Sequence, residues 1–194
     1  NLMLDTLVRA DPEAASILLY LPLDAYLLAV LRTDNHQNWV RSIHAELNGR
    51  FLEPGIEGSS PIVMLAASLW LGQIRRFAAV LDRAPNARSL DGQSLFEDPA
   101  SVVRAALDHF GIVASQADLE RIIGGDLFSR YAKNPQVAYD HARRRDQQSA
   151  LRQSMSGELD RARDWVAERM QDEGLDLHFA RPLWGKSPPL VRAT

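Results

Sequence analysis

The sequence predicts an α/β fold that is rich in helix and has few strands, with an all-α bundle as the alternative. Three observations lead there. Two short apolar runs, Ser16–Leu21 and Ala87–Leu90, are bounded by turn signals, as strands are. Elsewhere apolar residues recur at three- and four-residue steps behind helix-capping residues. The first apolar run also stops at Pro22, where a helix pattern takes over. Strand-to-helix junctions of that kind are where α/β proteins hold phosphate groups. This one carries no glycine, lysine, arginine or serine between Tyr20 and Val30.

Taken in order, Leu2 to Ala10 reads as a short amphipathic helix broken at Ala10-Asp11-Pro12. After the first strand, Asp24 is placed to cap a helix from Ala25 toward Arg32. Thr33 or Asp34 then caps a helix through Trp39, Ile43 and Leu47 to about Phe51. The stretch Glu53 to Ser60 is loop chemistry, and Ser60-Pro61 is a cap and first-turn pair. A long helix follows from Pro61 to Ala84, with Met64, Leu65, Leu69, Ile74, Phe77, Ala78 and Leu81 as its apolar stripe.

Beyond the second strand, Asp98-Pro99 starts a helix through Val103, Leu107 and Phe110. Ser115 caps another from Ala117 to Ile123, which Gly124-Gly125 ends. An irregular Lys133-Asn134-Pro135 segment precedes a last helix from Ser149 to Met170, striped by Leu151, Met155, Leu159, Ala162, Val166 and Met170. The Pro/Trp-containing tail, 175–194, reads as extended. Two short strands do not make a stable sheet by themselves, so both are expected to need partners that this chain does not supply. The chain begins at Asn1 within a helix-like pattern, without a charged leader or apolar core. The expectation is an internal fragment or a chain shortened at its N-terminus.

Composition narrows the function classes. The chain has 194 residues, 46% hydrophobic and 24% charged, as one soluble globular domain does. A net charge of -3 gives no general attraction to nucleic acid or anionic membranes. Without cysteine there is no disulfide, thiolate metal site or cysteine nucleophile, and a cytoplasmic setting fits. No uncharged apolar run reaches the roughly 18 residues that a membrane span needs. Lys133 and Lys186 are the only lysines, and this arginine bias suggests a GC-rich bacterial genome.

The order of these pieces resembles the C-terminal two-thirds of the P-loop sulfotransferase family. The residues that carry the resemblance are "LLYLPLDAYLLAV", aligned by Pro22 and Asp24, and "SLWLGQIRRFAAVLDRAPNARSLDGQSLFEDPASVVRAALDHFGI". A third stretch is "FSRYAKNPQVAYDHARRR", followed by a helix with Glu158 and Trp165. The resemblance implies that 1–174 is the C-terminal part of one α/β, P-loop sulfotransferase-like domain. It implies sulfuryl transfer from 3'-phosphoadenosine 5'-phosphosulfate to a hydroxyl or amine, with no metal. The phosphate loop and its catalytic base would lie upstream of Asn1. In the family an arginine and a serine hold the 3'-phosphate, and the matching positions here are Tyr20 and Leu28. A tyrosine offers one neutral hydroxyl where an arginine gives a charged, often bidentate grip. That departure makes a degenerate, non-catalytic relative the alternative, and an unrelated helical interaction module, with the tail as docking segment, a third reading. A homo-oligomer or a partner helix remains open.

Two residues are candidates for nucleotide binding. Lys133 lies in a late loop that could close over phosphates, although a loop lysine can equally be solvated. Arg143 best matches the family's arginine after the Tyr139 position. Arg143-Arg144-Arg145, with Arg130, could serve the same anion, or be a solvated face paired with Asp140 and Asp146. His36 and His44 are roughly 12 Å apart along a helix, too far for one metal. His36 is a conceivable acceptor-site base, and capping by Thr33 or Asp34 is the simpler account of its segment. Asp108-His109 has no serine to serve and reads as structural. Gly185-Lys186-Ser187 imitates the end of a Walker loop, but Ala180 stands where glycine is needed and Pro188-Pro189 forbids the following helix. Trp39, Trp70 and Trp165 read as core or as a partner-helix face.

Overall fold

In a computed structural model the described residues are 3–47, 53–125, 130–131, 134–138 and 141–192. The chain runs α1 (Leu4–Ala10), β1 (Ser16–Tyr20), α2 (Leu23–Val30), α3 (Asp34–Leu47), α4 (Ile62–Arg83) and β2 (Ala87–Asp91). It continues through α5 (Ser94–Glu97), α6 (Pro99–His109), α7 (Gln116–Ile123), β3 (Arg130–Tyr131), β4 (Asn134–Ala138), α8 (His141–Ser154) and α9 (Ser156–Asp172). The fold is helix-rich, with one parallel strand pair at its centre and a short antiparallel pair, β3–β4.

β1 and β2 lie side by side in parallel, in register from Ser16 opposite Ala87 to Tyr20 opposite Asp91. The intervening chain, including α4, is the crossover that a parallel pair requires. α4 is the hub and packs against α9, α3, α2, α1 and β2. By length and composition it could cross a membrane, but 56% of that stretch is buried inside the fold. Its Leu65, Trp70, Leu71, Ile74 and Val80 join Leu18, Leu23, Leu27 and Met170 in the main core. Alternation along β2 turns Ala87 and Ser89 toward this core and Leu90 to the other face. Leu90 is buried there, apart from the main cluster, as are Val102 of α6 and Leu119 of α7.

Against the expectation that partners must come from outside the chain, its own tail supplies one for β2. The Ser89 N–H donates to the Arg181 carbonyl at 3.1 Å, and the Leu183 N–H donates to the Ser89 carbonyl at 2.7 Å. Phe179, Leu190 and Val191 of the same segment are buried in the core. The other edge of β1 has no paired strand among the described residues, and Leu19 on it is 53% exposed.

Several local expectations are corrected. α2 begins at Leu23 rather than Ala25, with Pro22 as N-cap and no side-chain cap. The Leu190 carbonyl accepts the Leu23 N–H at 2.9 Å, so the returning tail does a cap's work. Pro61, not Ser60, is the N-cap of α4, while Ser60 Oγ accepts from the Glu57 N–H in the loop before it. The expected helix over 149–170 is two helices that meet at Met155. Ser154, Ser156 and Gly157 form helices poorly, and Ser154 Oγ bonds back to the Leu151 carbonyl. Asn134-Pro135 is part of β4 rather than irregular. Trp39 is 49% exposed rather than core. Asp98 and Ser115 cap as expected, accepting from Ser101 and Asp118, and Ser115 with Asp118 forms a full capping box.

Candidate functional site

The strand–proline–helix turn has an inner and an outer side. On the inner side Tyr20 is buried, and Leu28 is buried beneath the outer side. The Tyr20 hydroxyl lies 2.8 Å from Ser187 Oγ, and its ring meets Phe179 edge-on at 4.8 Å. Burial pushes the phenol above its ordinary value, and the bond to Ser187 partly offsets this. Ser187 Oγ also accepts the Phe179 N–H at 3.1 Å. The residue that imitated a Walker serine is therefore a fastening for the tail. Trp70 Nε1 donates to the Leu21 carbonyl at 2.8 Å and pins the end of the strand to α4.

On the outer side a cleft of about 90 Å³ opens at the carboxyl ends of β1 and β2. One wall is Pro22, Asp24 and Ala25 at the start of α2, with Leu28 beneath. Gln93, just past β2, closes one end. Gln148 and Arg152 enter from α8, and Leu190 and Arg192 from the tail. Ligands in open α/β folds bind outside the carboxyl ends of the strands, and this cleft lies there. Asp24, the one carboxylate among the described lining residues, lies 3.3 Å from Arg163 of α9, which also holds Asp160 at 2.7 Å, so its charge is partly offset. Neither Arg152 nor Arg192 has an ion-pair partner among the described residues.

The base of the cleft is tightly built. Asp91 Oδ1 accepts the Gln93 N–H at 3.0 Å, while the Gly92 N–H donates to the Tyr20 carbonyl at 2.7 Å. A Cβ on Gly92 would lie 3.3 Å from both the Tyr20 carbonyl and the Leu21 side chain. Glycine is thus what lets the turn after β2 close against the end of β1. Partial burial raises the Asp91 carboxyl above its usual value, with Glu97 adding to the effect and the Gln93 bond opposing it.

Of the candidates from sequence, Lys133 lies outside the described residues. Arg143 sits in the first turn of α8, about 13 Å along the axis from Arg152. His36 Nδ1 is 2.6 Å from Thr33 Oγ1, which also accepts the His36 N–H, so Thr33 caps α3. His36 does not line the cleft. His44 is buried, its Nε2 has no hydrogen-bond partner among the described residues, and burial lowers its pKa from the ordinary value. His109 Nε2 lies 3.2 Å from the Ser16 carbonyl and joins α6 to β1, a structural role. No group of three or more His, Asp or Glu side chains suited to a metal occurs among the described residues.

Sequence reasoning missed Gln93, Gln148, Arg152 and Arg192. The one local signal was the four-residue spacing of Gln148 and Arg152, which puts both on one helix face. No family model matches this chain, and no curated protein or solved structure is significantly similar to it.

Proposed function

We propose that this chain is the C-terminal part of a sulfotransferase-like domain that takes 3'-phosphoadenosine 5'-phosphosulfate and acts on a hydroxyl or amine acceptor. The supporting observation is the place of the cleft, at a turn where a strand ends in Pro22, a helix begins, and the next parallel strand ends alongside. A nucleotide's phosphate end suits that setting, with Arg152 and Arg192 at hand. The fit is incomplete, because the Tyr20 hydroxyl is bonded to Ser187 and Leu28, which lines the cleft, is apolar, so neither offers a grip for a 3'-phosphate. That commitment favours a second reading, a non-catalytic relative that keeps the scaffold for binding or assembly.

Thermal melting of the full chain with adenosine 3',5'-bisphosphate separates the two. A ligand at 100 times its Kd adds about 2.7 kcal/mol, which for a chain of this size raises Tm by about 5–10 °C. That rise supports the nucleotide-binding reading. An unchanged Tm at millimolar ligand contradicts it and favours the non-catalytic relative.

A further inference from the structure

We propose that Arg152 and Arg192 form a phosphate-binding site of their own, with the grip on a nucleotide's phosphate monoester moved from β1 and α2 to α8 and the tail. The inference rests on the nucleotide-binding reading above for its ligand, but its residues come from the cleft alone.

The argument is one of charge and access. Two guanidinium groups face one cleft of about 90 Å³ without an ion-pair partner among the described residues. Two arginines lining one concavity make it favourable to an anion, and a phosphate or sulfate group accepts their forked N–H donors bidentately. Asp24 is the one carboxylate among the described lining residues, and it shares Arg163 with Asp160, so the two cleft arginines outnumber the acidic groups of the described lining. Gln93 and Gln148 add neutral amide donors at its two ends. At the start of α2 the first N–H is taken by the Leu190 carbonyl. That bond fixes the chain two residues before Arg192, so the tail's fold-back both closes α2 and delivers a cation.

Isothermal titration of the full chain tests this, with adenosine 3',5'-bisphosphate, adenosine and inorganic phosphate as probes at low and moderate salt. The variants are Arg152→Gln, Arg192→Gln and the pair together. Arg121→Gln, on the exposed face of α7, controls for net charge. Both cleft arginines are exposed, so unliganded melting should stay unchanged. The bisphosphate should bind and adenosine should not. Each single substitution should weaken binding about tenfold and the pair about a hundredfold, with Arg121→Gln having no effect. Bisphosphate binding that survives the double substitution overturns the site and leaves the nucleotide reading standing. Arginine-dependent binding of inorganic phosphate that is no weaker than that of the bisphosphate upholds the site and removes the nucleotide. A wild-type chain that binds no anion overturns both.

Discussion

The two sides of the Pro22 turn share a backbone and have opposite chemistry. Toward the core, Tyr20 is closed off by Phe179 and Ser187, and its side chain contributes packing and one part-buried hydrogen bond, while Leu28 joins the core from the floor of the cleft. Toward solvent, within a few residues, Asp24, Gln93, Arg152 and Arg192 surround a polar cleft. The contrast shows that one strand-end turn can be structural on one side and border a polar cleft on the other. The polar groups of that cleft are supplied in large part by segments that arrive late in the chain.

The sharpest way to break that comparison is to restore the family's grip. Tyr20→Arg with Leu28→Ser would bury an unpaired charge, at a cost of about 3–5 kcal/mol, and leave a cavity where Leu28 packed. Chemical denaturation should show a largely unfolded or severely weakened protein with no gain in bisphosphate affinity. A stable double variant that binds more tightly would mean that these positions do reach the ligand. Next in size, Trp70→Ala removes the buried ring and frees the Leu21 carbonyl, and should cost about 3–5 kcal/mol in urea unfolding.

A finer probe is Tyr20→Phe, which deletes only the hydroxyl bound to Ser187. It should lower stability by about 1 kcal/mol and leave anion binding unchanged, because the hydroxyl points inward. The smallest effect lies outside both sides of the turn. Burial lowers the His44 pKa from 6.5, so the unfolded chain takes up that proton more readily than the folded one. Its share of stability is complete above about pH 6.5 and is lost as pH falls below that value. Melting between pH 7.5 and 5.5 should fall less steeply in His44→Leu than in the wild type.

Much of the scaffold was legible from short-range patterns. Ser16–Tyr20 and Ala87–Asp91 announce themselves as apolar runs between turns, and the Asp98 and Ser115 caps lie within three residues of the N–H groups they satisfy. Features set by distant chain were not legible. Pro22 can cap α2 because Leu190 returns to it, and Asp24 pairs with an arginine on α9 instead of capping. The break at Met155 falls in the middle of an unbroken apolar stripe, so periodicity alone runs straight through it. The resemblance pointed to the turn at Pro22 and to what Tyr20 and Leu28 lack. It gave no sign of Arg152 or Arg192, since their approach depends on how α8 and the tail pack. Lys133, singled out by motif, lies outside the described residues, and Arg143 lies in the first turn of α8.

The most direct test of the account is an NMR titration of the isotopically labelled chain with adenosine 3',5'-bisphosphate. The account predicts that the amide signals of Asp24, Ala25, Gln93, Gln148, Arg152 and Arg192 shift together and saturate with one Kd, while those of Tyr20 and Ser187 stay in place. Shifts centred on Tyr20 and Ser187, or none at millimolar ligand, would contradict it.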